Sequence, residues 1–179
     1  MHFHYVFFIL GGQGMSLVSI VMGSKSDLPV MQNACEMLKE FGVSYEVRVL
    51  SAHRTPVEAH EYASTLIDRG VKVVIAAAGG AAHLAGVVAG NTTLPVIGVP
   101  IQTSALGGMD SLLSTVQMPK GIPVATVAIG KAGAANAAIL ATQILALGDA
   151  KLANNMVEYK RSMAAKILED TYIETYEGE

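Results

Sequence analysis

A hydroxyl, an imidazole and a guanidinium lie within four residues at Ser51, His53 and Arg54, in the run SAHRTP. Arginine offers a planar fork of donors and serine a short hydroxyl, so this pair suits a phosphate group. Histidine can donate and accept a proton near neutral pH. The run indicates an enzyme site that holds a phosphorylated substrate and moves a proton. A histidine packed at a strand end beside a solvated arginine would give the same residues.

A second segment with candidate ligands is residues 23–27, GSKSD, which follows an apolar run and precedes a helical pattern. A helix that begins after a glycine turn is a ready site for anions. Ser24 can contribute a hydroxyl there, and Asp27 can accept hydrogen bonds from sugar hydroxyls. Serine and aspartate also cap helix starts, so capping alone would explain Ser26 or Asp27.

A third segment, residues 79–86 (GGAAHLAG), contains a single titratable side chain, His83. Glycine and alanine let backbone N–H groups come close to a planar or anionic ligand, and Ala78 and Gly79 stand where the preceding strand ends. A helix packed tightly on a sheet needs small residues for the same steric reason. The two interpretations are compatible.

The chain alternates apolar, β-branched runs with helical patterns, which predicts a parallel sheet with helices on both faces. Strands are predicted at residues 17–22, 44–50, 71–78, 94–99 and 122–129, and helices at about 28–41, 56–68, 112–116, 132–147 and 152–167, with one more short helix opened by the loop at residues 79–86. In the common strand order 2-1-3-4-5, the three segments follow neighbouring strands and converge on one cleft. This convergence favours the functional interpretation of His53.

The charge balance argues against nucleic acid as a partner. Twelve basic and 15 acidic residues give a net charge of −3, and no basic block is present. The single cysteine, Cys35, lies in a helical pattern, where a small buried apolar residue is expected. A lone cysteine also fits a reducing cytoplasm, so we expect a cytoplasmic protein.

The chain is unusually apolar, with 51% hydrophobic and 15% charged residues and a mean hydropathy of +0.43. Residues 73–109 contain no Asp, Glu, Lys or Arg, but Gly79, Gly80, Pro95 and Pro100 divide them into pieces too short to span a bilayer. No membrane segment is therefore predicted. A domain with so little charge is expected to bury part of its surface against copies of itself, as a homo-oligomer.

The predicted domain organisation has three parts. Residues 1–14, MHFHYVFFILGGQG, lack a basic flank and a small-residue cleavage site, so a signal peptide is disfavoured and an N-terminal extension is expected. Residues 15–170 form one α/β catalytic domain, and residues 171–179 a flexible tail. His2 and His4 have no further ligands nearby, and no metal site is expected there.

Four motifs carry a specific resemblance: MGSKSD at 22–27, SAHRTP at 51–56, AGGAAHL at 78–84, and the run from 110 to 138 that begins DSLLSTVQMPKGIPV. Together they resemble the N5-carboxyaminoimidazole ribonucleotide mutases of purine biosynthesis. The resemblance implies a three-layer αβα, flavodoxin-like fold with a five-stranded parallel sheet and an extra C-terminal helix. It also implies a homo-octamer and no metal or organic cofactor.

The resemblance assigns roles to eight positions. His53 would be the general acid and base, and Asp27 would bind the ribose. Ser24, Ser51 and Arg54 would hold the phosphate, while the backbone at Ala78 and Gly79, with His83, would enclose the base and the migrating carboxylate.

The implied reaction moves a carboxylate from the exocyclic N5 to C4 of an aminoimidazole ring. The ring is an electron-rich enamine, so C4 can attack CO2 without a metal if the released CO2 stays in a closed, dry pocket. N5 needs a proton when it loses the carboxylate, and C4 must later lose one. One histidine can therefore donate a proton and recover it.

Two alternatives and one departure stay open. A related branch carboxylates aminoimidazole ribonucleotide directly with CO2, although SAHRTP looks like the mutase branch. A nonenzymatic nucleotide-binding module on the same fold would not need His53. The family usually has Pro and Met after the second histidine, where this chain has Ala85 and Val87, and the change is expected to loosen the helix start and alter pocket closure.

Overall fold

A computed structural model of the chain describes residues 15–169 and Thr171. The expectations for residues 1–14 and for the tail therefore fall, apart from Thr171, outside the described residues. One all-parallel sheet is formed by β1 (Val18–Met22), β2 (Tyr45–Val49), β3 (Val73–Gly79), β4 (Val96–Ile101) and β5 (Ala125–Thr126). Its strand order, β2-β1-β3-β4-β5, confirms the predicted flavodoxin-like arrangement.

The described residues form six α-helices, and helices lie on both faces of the sheet, which confirms the three-layer architecture. They are α1 (Leu28–Glu40), α2 (Pro56–Ser64), α3 (Leu84–Ala89), α4 (Met109–Val116), α5 (Lys131–Ala146) and the C-terminal α6 (Ala150–Glu169). Helices α1 and α5 pack on one face and contact each other extensively, whereas α2 and α3 pack on the other. Within the described part of the chain, no helix is long and apolar enough to cross a membrane.

The central strands are buried because both of their faces are covered. Val18, Ile20 and Met22 of β1 point toward α1 and α5, while Val21 points toward α2 and α3. In the sheet, Met22 is paired with Val49 on one side and with Ala77 on the other. The carboxyl ends of β1, β2 and β3 therefore lie side by side, and the three loops that follow them emerge together.

The fifth strand is much shorter than the predicted segment 122–129, because only Ala125 and Thr126 belong to it. The chain continues alongside β4: Val127 N–H donates to the Gly98 carbonyl, and Gly130 N–H donates to the Pro100 carbonyl. Pro100 therefore faces this segment but has no N–H to return a hydrogen bond, so the regular ladder is interrupted there.

Helix α2 begins at Pro56 as predicted but ends at Ser64, earlier than the predicted residue 68. The Thr65 hydroxyl lies 3.0 Å from the Glu61 carbonyl and 3.1 Å from the Tyr62 carbonyl. Side-chain bonds to preceding carbonyls compete with the helical ladder. The chain then passes through turns to Gly70, whose φ of +82° is readily adopted by glycine.

A polar cluster lies between α2 and the sheet. The fully buried Ser19 hydroxyl bonds to Tyr62 Oη and to Glu46 Oε1, and Arg69 Nη1 lies 2.7 Å from the same carboxylate oxygen. Burial raises the pKa of Tyr62 to about 12, so the phenol stays protonated at neutral pH. No sequence pattern predicted this cluster.

Candidate active site

The loops after β1, β2 and β3 enclose a cleft of about 400 Å³. This volume lies in the range typical of small-molecule sites, about 300–1,000 Å³. The lining residues are Gly23, Ser24, Ser26, Asp27, Ser51, Ala52, His53, Arg54, Ala78, Gly79, Ala81, His83 and Leu84. All eight residues selected from the sequence are among them, so the predicted convergence is present, while their individual roles stay predictions.

The first loop combines helix capping with a buried carboxylate. Ser24 caps a short 3₁₀ turn at Lys25–Asp27, because its hydroxyl accepts from Ser26 N–H at 3.3 Å. Ser26 Oγ lies 2.7 Å from Ser24 Oγ. Asp27 makes no side-chain cap bond to α1, so capping does not account for its carboxylate.

Asp27 is 8% exposed and still lines the cleft. Burial raises the pKa of Asp27 above the usual carboxyl value, while hydrogen bonds from Ser26 and the Ser24 backbone and the charge of Arg54 act in the opposite direction. The carboxylate therefore has an unfavourable environment in the protein alone. Hydroxyl donors from a bound sugar would give it further hydrogen bonds.

The second loop is a compact turn stabilised by its own side chains. Thr55 Oγ1 accepts from Ser51 N–H at 2.9 Å and lies 3.0 Å from the Ser51 carbonyl. The Ser51 hydroxyl accepts from the backbone N–H of Arg54 at 3.2 Å. These bonds hold Ser51 and Arg54 on one side of the turn and direct both into the cleft.

Arg54 connects the second loop to the first. Its Nε donates to Ser51 Oγ at 3.2 Å, and its Nη2 donates to the Gly23 carbonyl at 2.9 Å. A guanidinium carries five N–H donors, so these two bonds leave donors for a ligand. The side chain is therefore oriented before any anion arrives, which lowers the entropy cost of binding.

The third loop brings a second imidazole to the first. His53 Nε2 lies 2.8 Å from His83 Nδ1, and the two rings meet edge to face with centroids 4.8 Å apart. One of these nitrogens must donate and the other accept, which couples the tautomers of the two rings. Both residues are exposed to solvent at the cleft and are accessible to a substrate.

The floor of the cleft is main chain rather than side chain. Ala78 and Gly79 end β3, where they pair with Pro100 and Ile101 of β4. Gly80 follows with φ +67°, a conformation that glycine adopts without steric cost, and it turns the chain toward His83. Backbone groups at Ala78 and Gly79 can therefore approach a flat ligand closely.

The comparisons with known proteins agree with this geometry. The family model described as AIR carboxylase matches residues 17–166. The chain belongs to this family. It is 57% identical over 155 residues to a Bacillus subtilis protein named N5-carboxyaminoimidazole ribonucleotide mutase, covering 87% of this chain and 96% of that one. A Thermotoga maritima protein of the same name is 56% identical, covering 87% of this chain and 90% of that protein.

Solved structures in the family share the fold. The crystal structure of Treponema denticola PurE superposes with a TM-score of 0.77 at 34% identity and covers 86% of this chain and 94% of that one. This similarity spans most of the described residues, so the family fold extends well beyond the four motifs.

Sequence reasoning missed several residues of this family member's site. The sequence predicts Ser26 only as a helix cap, yet its side chain lines the cleft. Its position two residues after Ser24 is the sequence signal for this placement. Ser111 of α4 bonds to the Gly80 backbone from outside the cleft. The spacing of Ser111 and Ser114 places both serines on one face of α4, but their contact with Gly80 depends on how α4 packs and cannot be read from the sequence. In the described residues, no group of three or more His, Cys, Asp or Glu could hold a metal ion.

Proposed function

We propose that the protein is an N5-carboxyaminoimidazole ribonucleotide mutase that forms 4-carboxyaminoimidazole ribonucleotide in purine biosynthesis. The observation that carries the proposal is the juxtaposition of His53 and His83 beside the Ser51–Arg54 pair in one cleft. Relatives that are 53–58% identical bear the mutase name, which supports the same assignment.

The substrate binds with its phosphate at one end of the cleft and its base at the other. Arg54 supplies guanidinium donors to the phosphate, and Ser24 and Ser51 supply hydroxyls. Asp27 accepts hydrogen bonds from the ribose. The backbone at Ala78 and Gly79 and the His83 ring surround the aminoimidazole and its carboxylate.

His53 carries the proton through both halves of the reaction. The bond between N5 and the carboxylate carbon breaks, CO2 is released, and N5 takes a proton from His53. The ring carbon C4 then donates an electron pair to CO2 and forms the new carbon–carbon bond. His53 recovers the proton from C4, which restores aromaticity and returns the enzyme to its starting state.

The cleft contributes by holding released CO2 next to C4. A bound reactant behaves as if it were present at very high local concentration, provided that it cannot diffuse away. The small residues Gly79 and Ala81 leave room for a flat base, while the buried Leu84 gives an apolar wall. The effect of Ala85 and Val87 on closure stays a prediction; Ala85 is buried in α3.

Direct carboxylation of aminoimidazole ribonucleotide by CO2 is the second candidate, because the matching family model carries the description AIR carboxylase. Purified protein is supplied either with the N5-carboxylated ribonucleotide or with the uncarboxylated one plus bicarbonate, and product absorbance is followed. Turnover of the first substrate alone supports the mutase. Turnover that prefers CO2 supports the carboxylase, and binding without turnover contradicts both.

His53→Asn tests the proton carrier. General acid–base catalysis typically contributes about 10²- to 10⁴-fold, so kcat should fall within that range. His60→Asn is the matched control, because His60 is an exposed histidine of α2 that does not line the cleft. Normal turnover by His53→Asn would remove His53 from the mechanism.

We further propose that residues 15–170 form the single catalytic domain of a cytoplasmic homo-octamer that uses no metal or organic cofactor. Exposed apolar side chains on separate surfaces support association: Val49 is 51% exposed on β2, and Met163 and Ile167 are 42% and 74% exposed on α6. Light scattering coupled to size exclusion gives the oligomeric state. Turnover that survives exhaustive chelation supports metal independence.

A further inference from the structure

The glycine turn at the floor of the cleft is fixed by a side chain that does not line the cleft. Ser111 of α4 is fully buried, and its hydroxyl donates to the Ile101 carbonyl at 2.6 Å. The same oxygen accepts from Gly80 N–H at 2.9 Å. The hydroxyl proton and one lone pair are thus both engaged, and Ser111 ties the end of β4 to the turn that follows β3.

A second serine, one helical turn later, engages the same glycine. Ser114 Oγ donates to the Gly80 carbonyl at 3.2 Å. Serines three apart share one face of a helix, so α4 holds both the N–H and the carbonyl of Gly80. The position of Gly80 is consequently determined by α4, although the substrate side of the turn is formed by Ala78 and Gly79.

The connection from Gly80 to the imidazole pair is short. Ala82 N–H donates to the Gly80 carbonyl and His83 N–H donates to the Ala81 carbonyl, each at 2.8 Å. The four residues 80–83, joined by these bonds, have little freedom to absorb a displacement. A shift of Gly80 therefore changes the position of the His83 ring relative to His53 Nε2, now 2.8 Å from it.

A hydroxyl at this place could instead bond only within its own helix, with no contact to the cleft. Thr115 is such a residue, because its hydroxyl bonds within α4 to the Ser111 carbonyl at 2.7 Å. Ser111 differs, since both of its side-chain bonds leave α4 and reach Gly80, in the turn after β3, and Ile101, at the end of β4. Ser111 therefore connects α4 to two other segments of the chain, whereas the Thr115 bond stays within the helix.

We propose that Ser111 is a positioning residue for the reaction, assisted by Ser114, and that it sets the orientation of the Gly79–Gly80 main chain and of His83. The inference rests on the proposed mutase function. Ser111 does not line the cleft. It acts through backbone groups of the floor and through the alignment of the two imidazoles.

Ser111→Ala removes both bonds and tests the proposal. A misplacement of about 1 Å can cost about 10²-fold in rate, so kcat should fall about 10- to 100-fold. KM should change by less than about threefold, because Ser51 and Arg54 belong to the other wall and keep their bonds. Hydrogen exchange at Gly80 N–H should accelerate because its acceptor is lost, and the His83 ring resonances should shift.

Thr142→Val is the matched control. Thr142 is also fully buried, and its hydroxyl donates to the Ala138 carbonyl at 2.8 Å within α5, on the opposite face of the sheet. This variant should lose stability while keeping kcat and the exchange rate of Gly80 N–H. A purely structural role for Ser111 predicts equal losses of kcat in Ser111→Ala and Thr142→Val.

Three outcomes would overturn the proposal. The first is an unchanged kcat in Ser111→Ala despite faster exchange at Gly80, and the second is the equal loss of kcat just described. If Ser111→Ala does not fold, Ser114→Ala replaces it, because Ser114 is only half-buried. The kcat of Ser114→Ala should fall several-fold while its KM stays nearly constant. An unchanged kcat in this variant is the third outcome. Wild-type protein that lacks turnover would contradict the mutase function itself, whereas the exchange and ring-resonance changes would still report the coupling of Gly80 to His83.

Discussion

Replacing Arg54 by lysine should weaken binding of the substrate phosphate without slowing the chemical step. The Arg54 guanidinium bonds to Ser51 Oγ and to the Gly23 carbonyl, and it lines the cleft with donors left for a ligand. Arg54→Lys keeps the charge but removes the fork. The lysine ammonium can reach only some of the partners of the guanidinium, which are Ser51 Oγ, the Gly23 carbonyl and the proposed phosphate. We therefore expect at least one hydrogen bond to the phosphate to be lost.

The magnitude follows from the usual value of such a bond. A hydrogen bond to a charged group contributes about 1.5–3 kcal/mol, which corresponds to about 10- to 150-fold in affinity. The phosphate is bound in both the ground state and the transition state, so the loss should raise KM and leave kcat within about threefold. Steady-state kinetics on the N5-carboxylated ribonucleotide measures both constants.

A substrate analogue that lacks the phosphate makes the assay specific. With the nucleoside, wild type and Arg54→Lys should bind equally, because the partner of the guanidinium is absent. Arg161→Lys, at an exposed position of α6 that is paired with Glu158, is the control and should match wild type with both compounds. A large loss of kcat, or an equal loss with and without the phosphate, would refute the assignment of Arg54 to the phosphate.

Three further predictions concern buried groups. Burial raises the pKa of Asp27 above its value in the unfolded chain, so ionising Asp27 costs the folded state more than the unfolded state. Asp27→Asn should therefore raise the free energy of unfolding at pH 7, and it should weaken substrate binding. In urea titrations the stability difference should vanish below about pH 4, where the carboxyl is protonated in both states. Tyr62 has a pKa of about 12 in the folded state and about 10 in the unfolded chain, so the unfolded state loses its proton first as the pH rises. The free energy of unfolding of the wild type should therefore fall by about 2 kcal/mol between about pH 10 and 12, and Tyr62→Phe should lack this fall. A Cβ at Gly133 would lie 1.6 Å from the Ala128 carbonyl oxygen, so Gly133→Ala should lower the free energy of unfolding, measured by thermal unfolding, by at least about 1–3 kcal/mol. Gly90→Ala is the control and should show no such loss, because its Cβ would meet only ordinary contacts.

The sheet was predictable because its signals are local. Gly42 and Gly70 both have positive φ, and they lie in the connections that lead into β2 and β3. Pro56 marks the start of α2. Apolar runs between such marks predict buried parallel strands, and the strand order then places three loops together. The cleft around His53 could be predicted from that step without any knowledge of side-chain contacts.

The parts that escaped prediction depend on contacts between distant elements. The break in β5 follows from Pro100 on the neighbouring strand, not from residues 122–129 themselves. The Ser19–Tyr62 bond joins residues 43 apart and shows no periodic signature. The 2.8 Å approach of His53 to His83 likewise depends on how tightly the third loop folds, which the spacing of glycines does not determine.

The main-chain floor of the cleft limits how the protein can change its ligand. Ala78 and Gly79 present peptide groups whose chemistry is the same whatever side chain is encoded, so the base recognition proposed for them would be insensitive to most point mutations. Altered specificity is instead expected to arise in the side chains that line the cleft, such as Asp27, His53 and Arg54. Directed evolution toward other ribonucleotides would therefore be expected to accumulate its changes in these side chains, and the main-chain floor would stay unchanged.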